Sequence, residues 1–306
     1  MLKEKGMTNY FEIKNLKCSY NRKDKEPKVV LQIEELTIPR GEVIFIVGLS
    51  GCGKSTILET LGLMNNTILV DSNTRFDFHP ADNINHDYLT IWNKSDKLLS
   101  EIRRDYFSFI FQQTNLMQNF NIYENIAVTK MLQGATEKDC RRTINDILRD
   151  IGLGEFIILN NGGWDKKSKV FDKAHEASGG QQQRIAFVRA MVADFKILFC
   201  DEPTGNLDPK TAGKLMKYLH GEVKKKENST AIIVSHDLKL AVKYGDKIIK
   251  IFKQADDDDQ FGLINLDSVF IKKYSEGSEQ WENNGNIFSE TEIIKKLEDE
   301  RDETIQ

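Results

Sequence analysis

The sequence predicts an α/β fold with a mostly parallel core sheet, a small antiparallel β layer and an inserted α-helical subdomain. Three observations predict it. The continuous apolar runs KILFCD (196–201) and TAIIVS (230–235) suit parallel strands buried on both faces. The run GEVIFIVG (41–48) leads through a glycine-rich loop into a helix-forming stretch, the order of a βα unit. Residues 121–152 form a helical region, with apolar residues at helical spacing in TINDILRDIGL.

Taken in order, residues 10–14 and 28–38 read as strands, split by the polar stretch 21–28. Residues 41–48 are a buried strand, and 54–63 a helix with Ser55 and Thr56 in its first turn. Between 67 and 93 the runs TILVD, TRFDF and YLTIW read as short strands of the antiparallel layer. Residues 96–105 are helical. Ser178 is a side-chain cap for a helix running to about Asp194. KIIKIF and FGLINL bracket 256–259 as a hairpin, and 289–303 is a charged terminal helix expected at the periphery.

Composition bounds the function classes. The chain has 306 residues, 40% hydrophobic and 29% charged, with a formal net charge of −4, so nothing draws it globally to nucleic acid. No apolar run approaches the roughly 18 residues of a membrane span, and the N-terminus carries no signal-peptide core. Cys18, Cys52, Cys140 and Cys200 are scattered without metal spacing, which suits reduced thiols of a cytosol. From Lys253 onward about fifteen acidic residues face about six basic ones, so this segment is set apart as an extension, 253–306, following a domain at 1–252. Residues past Ser275 are expected to be dispensable for the chemistry upstream.

The chemistry lies in motifs of fixed order. GLSGCGKST matches G-x-x-x-x-G-K-[ST]; its glycines let backbone N–H groups approach phosphates, and the following helix adds positive potential. Gly48, Ser50, Gly51, Cys52, Gly53, Lys54, Ser55 and Thr56 form this cradle. Lys54 reaches the outer phosphates, and the Ser55 hydroxyl ligates magnesium. In ILFCDEP, Asp201 and Glu202 end a buried strand. Asp201 holds the metal, and Glu202 is the general base on the attacking water. SGGQQQR, at 178–184, opens a helix with a hydroxyl and free glycine N–H groups, a second phosphate binder.

Together with FQQ (111–113), TGNLD (204–208) and IIVSHD (232–237), these residues resemble the ATP-binding subunit of ABC transporters, with a P-loop NTPase core. The resemblance spans roughly residues 11–252. DEPTGNLD and FIFQQ-NL are similar to the branch serving lipoprotein release, macrolide efflux and cell division. The resemblance implies ATP and Mg²⁺ as cofactors, a second ATPase subunit, an integral membrane permease and a site on the cytoplasmic face of the membrane. It implies a helical subdomain at about 114–177. It also implies that Gln112 contacts metal or water, that His236 contacts the γ-phosphate, and that Tyr20 stacks on adenine. The resemblance further implies that Ser178, Gly179, Gly180, Gln181 and Asp208 act across a dimer interface. A half-buried strand tyrosine is the competing reading of Tyr20, and a soluble mechanical ATPase of the same family is the competing reading of the whole. The chain departs from the pattern at Ala177, where leucine is usual, in the long polar approach 160–176, and in 114–119, which lacks a proline.

Other signals point to plainer structure. NKSD (93–96) imitates a guanine-specifying motif but reads as a turn and helix start. His79, Asp82, His86 and Asp87 fit no regular metal spacing. Asp256 to Asp259 lack the glycine and glutamate of a calcium loop. Cys52, beside helix N–H groups, is a candidate reactive thiol.

Overall fold

A long antiparallel ribbon opens the chain, β1 (Asn9–Arg22) and β2 (Lys25–Pro39). The computed structural model describes residues 8–22, 25–160, 163–226, 228–256, 259–275 and 278–299. The strands are longer than expected and take in the described residues of the polar stretch between them, because paired backbone groups hold a ribbon whatever its side chains. Its inner face carries Phe11, Ile13, Leu16 and Cys18 against Leu31, Ile33, Leu36 and Ile38, all buried. The alternation skips a step at Asn15, whose φ is 49°.

Next come β3 (Val43–Gly48), α1 (Lys54–Leu61), β4 (Ile68–Leu69), β5 (Arg75–Ala81) and β6 (Ile84–Asp87). The run YLTIW is not a strand: α2 (Tyr88–Ile91) stands there. Asp87 caps it by accepting the Leu89 N–H at 2.9 Å. Helical spacing then places Tyr88 and Ile91 together in the core, Tyr88 edge-on to Phe11 at 5.5 Å. A short apolar run carries no period of its own, so the cap decides.

The chain continues through α3 (Asp96–Tyr106), β7 (Phe107–Ile110), α4 (Ile122–Leu132) and α5 (Glu137–Asp150). A small hairpin, β8 (Leu159–Asn160) and β9 (Gly163–Trp164), precedes α6 (Gly179–Val192), which Ser178 caps as expected. Then follow β10 (Ile197–Asp201), α7 (Pro209–Lys225), β11 (Thr230–Val234) and α8 (Leu238–Tyr244). The expected hairpin is β12 (Lys247–Asp256) and β13 (Asp259–Ile264), antiparallel with Phe252 opposite Leu263; residues 257 and 258 lie outside the described residues.

The core sheet runs β12–β3–β11–β10–β7, parallel throughout. β13 joins it to the ribbon, pairing with β12 on one side and β2 on the other. Successive β3 residues point to opposite faces. Val43, Phe45 and Val47 enter a core shared with α4, α5, α6 and α7. Ile44 and Ile46 enter one shared with α1, α3 and the ribbon. Each fully buried side chain of this size contributes about 1.5–3 kcal/mol, so β3 is the hinge pin of both layers.

The end of the chain is packed into this body. β14 (Val269–Ser275) pairs with β12, β15 (Ser278–Asn283) with β14, and β16 (Asn286–Phe288) with β15. The terminal helix α9 (Glu290–Glu298) starts at its Ser289 cap; residues 300–303 of the expected helix lie outside the described residues. It is not peripheral: Ile293 and Leu297 are buried, and it packs on α8. The Lys250 ammonium donates to the Lys296 and Asp299 carbonyls at 3.3 and 2.9 Å. Among the described residues no helix is long and apolar enough to cross a membrane.

Candidate active site

The loop between β3 and α1 is shaped by glycine. Gly48, Gly51 and Gly53 have φ of 151°, 78° and 94°, values L side chains avoid. At Gly48 a Cβ would also lie 2.8 Å from the Ile251 carbonyl oxygen. Gly53 caps α1 without a side chain, so no side chain competes with an anion for the helix's first N–H groups. The Lys54 ammonium folds back over the loop, donating to the Gly48 and Leu49 carbonyls at 2.8 and 2.7 Å.

Parallel pairing assembles the rest. Asp201 ends β10 opposite Val234 of β11, so the residues that follow each strand emerge together. Glu202 follows Asp201, and His236 comes two residues after Val234; His236 Nδ1 lies 2.9 Å from Glu202 Oε2. The Glu202 backbone is left-handed, φ 48°, and its N–H donates to the Val234 carbonyl at 3.0 Å. A non-glycine residue in this region is strained and marks a constrained site. Ser55 Oγ donates to Asp201 Oδ2 at 3.1 Å. Burial pushes the Asp201 carboxyl up from its ordinary value, against the opposing Ser55 hydrogen bond. β7 pairs with β10 at Ile110 and Cys200, and two residues on Gln112 enters the same cleft.

That cleft, about 340 Å³, is lined by Ser50, Gly51, Gly53, Lys54, Ser55, Thr56, Gln112, Asp201 and Glu202. The Cys52 side chain turns inward and is 1% exposed, so the expected reactive thiol is shut away from solvent. Tyr20 is 38% exposed, and its hydroxyl lies 3.4 Å from both Thr56 Oγ1 and Glu59 Oε2.

Ser178, Gly179, Gly180, Gln181 and Asp208 do not line this cleft. Ser178 and Gln181 form a reciprocal capping box at the start of α6, and Ser178 and Gly179 face solvent. Asp208 caps α7 through the Lys210 and Thr211 N–H groups, and the Thr211 side chain foremost, together with these N–H groups, holds its carboxyl below the ordinary range. Ala177 is half-buried against the core.

Three contacts were not foreseen. Gly262 of β13 lies so close to the phosphate loop that a Cβ there would be 2.0 Å from the Cys52 carbonyl oxygen. Arg189 of α6 donates to the Thr114 and Asn115 carbonyls at 2.8 Å, anchoring the segment after Gln112. Gln183 reaches the Glu202 turn. Only a polar residue inside an apolar helical run hinted at the last two.

The ABC transporter family model matches residues 31–205. The chain belongs to the ABC transporter family. This ABC subunit is 32% identical to the lipoprotein-releasing system ATP-binding protein LolD of Rickettsia felis, over 83% of this chain and 96% of that protein. The LolD protein of Colwellia psychrerythraea is 31% identical over 77% of this chain and 81% of its own. Among solved structures, the dimeric bacterial ABC transporter cassette MJ0796 matches with a TM-score of 0.63 and 28% identity, over 78% of this chain and 93% of that one. The post-hydrolysis state of MJ0796, bound to ADP and Pi, matches equally. The subunit is therefore an ATP-binding ATPase of the lipoprotein-release branch with a P-loop NTPase fold. The plainer readings also have their places: Ser95 of the NKSD run caps α3, and Asp82 pairs with Arg40 at 2.7 Å.

Proposed function

We propose that two copies of this ATPase close head to tail around two Mg-ATP and drive a conformational change in a membrane permease. The observation that carries this is the division of the site. One cleft gathers Lys54, Ser55, Gln112, Asp201 and Glu202, while Ser178 and Gly179 stand exposed outside it on a helix N-terminus. Such a surface is complete only against another copy's phosphates.

The residues present fit Mg-ATP. The glycine cradle holds positive φ at Gly48, Gly51 and Gly53, a backbone shape that leaves N–H groups free for phosphates, and the paired Ser55 hydroxyl and Asp201 carboxylate are hard oxygen donors suited to magnesium. Bound magnesium would neutralise phosphate charge. Lys54 exchanges its two carbonyl acceptors for phosphate oxygens. Glu202 takes the proton of the attacking water, and His236 holds the Glu202 carboxylate in place and lies ready for the γ-phosphate. Tyr20, partly exposed beside α1, is the platform for adenine.

Beside the cleft, Met64, Phe111, Met117 and Leu132 line an apolar groove of about 380 Å³ between the core and α4. Met64, Met117 and Leu132 are exposed. Adaptable apolar side chains next to Gln112 suit an apolar helix of the permease, and such a partner supports a seat at the cytoplasmic face of the membrane. The ATP-binding domain is assigned to 1–252, its helical subdomain to about 114–177, and 253–306 to an extension whose described residues pack upon it.

Gel filtration of Glu202→Gln tests the dimer. With ATP and magnesium it should elute at twice the monomer mass and revert when nucleotide is removed. A monomer under both conditions overturns the composite site.

A further inference from the structure

We infer that Gln183 is a positioning residue that links the exposed phosphate-binding end of α6 to the Glu202 turn of the same chain, and so couples the two ATP sites of a dimer. The inference rests on the composite-site reading: Ser178 acts on the partner's nucleotide, whereas Glu202 acts on its own.

Gln183 lies on α6 just over one turn beyond Ser178 and is 1% exposed. Its Nε2 donates to the Pro203 carbonyl at 3.1 Å and lies 3.5 Å from the Glu202 carbonyl. Its Oε1 is buried with no hydrogen-bond partner among the described residues. A half-satisfied buried amide is destabilising and needs a reason.

The geometry supplies one. Glu202 is held in a strained left-handed conformation, φ 48°, with its N–H on the Val234 carbonyl. Gln183 grips the next peptide on the other side. The strained residue is therefore held between β11 and α6. A shift of α6 rotates the Glu202 carboxylate relative to His236, which lies 2.9 Å away.

Two further contacts tie the two ends of α6 to the loops around the cleft. A Cβ at Gly180 would lie 3.5 Å from Leu207 Cδ2, so the helix start packs on the loop leading to Asp208. Arg189 holds the carbonyls of Thr114 and Asn115. Close-packed helices move as units rather than bending, so a displacement at Ser178 reaches Glu202 through Gln183.

Gln183→Met keeps the volume and removes the amide. Gln183→Asn keeps the amide but retracts it by one methylene, and serves if the first variant does not fold. ATP affinity, measured by calorimetry, should stay within about threefold of the parent. The kcat should fall at least about tenfold, as for a misplaced catalytic group. The Hill coefficient for ATP should exceed 1 in the parent and fall to 1 in the variant. A parent coefficient of 1, an unchanged kcat and coefficient, or a loss of affinity in step with melting temperature overturns the inference. Gel filtration of Glu202→Gln separates the two levels. A monomer there sinks the composite reading, whereas an ATP-dependent dimer with unaltered cooperativity in Gln183→Met sinks the coupling alone.

Discussion

Glu202 carries both a strained backbone and the carboxylate that faces His236, so its charge and its position can be tested apart. Glu202→Gln keeps the shape and removes the proposed base; ATP should bind with little change while phosphate release slows by about 10²–10⁴-fold. Near-parental turnover would remove Glu202 from the mechanism. Tyr10 tests burial instead. Its ring is 1% exposed, its hydroxyl bonds the Asn228 carbonyl, and burial pushes its pKa up to about 12. The unfolded chain loses this proton near pH 10 and the folded chain near 12, so stability present below 10 is lost as pH rises through that window. The urea midpoint of the parent should therefore fall more than that of Tyr10→Phe between pH 9 and 11.5, and parallel curves would refute the burial argument. That Lys54, Ser55, Asp201 and Glu202 share one cleft was legible in the sequence, because they sit in sequence-local groups at the ends of strands that pair in parallel. Gln183 was not legible, because its partner Pro203 is set by helix packing rather than by spacing.

At the scale of elements, strands that feed the site were readable where both faces are apolar, as in β3, β10 and β11. Reading failed where a cap or a pairing partner decides, as in α2 and the lengthened ribbon. Two elements give direct tests. α6 presents Ser178 to solvent, so Ser178→Arg should abolish hydrolysis yet leave ATP affinity of the monomer near the parent's, by fluorescence titration; lost affinity in a folded variant would mean the serine serves its own site. β13 tests the opposite relation, an element far along the chain that shapes the phosphate loop. Any side chain at 262 meets the Cys52 carbonyl oxygen at 2.0 Å and Ile251 Cγ2 at 2.6 Å, and backbone must shift. Gly262→Ala should lose about 1–3 kcal/mol of stability, as overpacking does, together with much of its ATP affinity. Parental melting and affinity would show that the loop tolerates displacement.

The whole molecule turns on whether the acidic end of the chain is an appendage. Its charge marks it as separate in sequence, and a cut after Ser275 is expected from sequence alone to leave the nucleotide site working. The structure argues for the reverse. Trp281 and Ile293 are 0% exposed and share a core with Phe45 and Val47 of β3, the strand that enters the phosphate loop. Charge patterning cannot show this, because the burial is carried by Trp281, Ile293 and Leu297, three apolar side chains in a polar stretch. A cut after Ser275 removes them, strips β14 of its partner β15, and takes two carbonyl acceptors from the buried Lys250 ammonium. Residues 1–275 should therefore unfold at a clearly lower urea concentration than the full chain and lose ATP binding through instability. Point variants separate packing from length. Trp281→Ala leaves a cavity and should cost about 3–5 kcal/mol. Trp281→Phe should cost far less, because the indole N–H has no acceptor among the described residues and its loss relieves a buried unpaired donor. If residues 1–275 melt like the full chain and bind ATP equally well, the extension is an appendage and the shared core contributes nothing to the cassette.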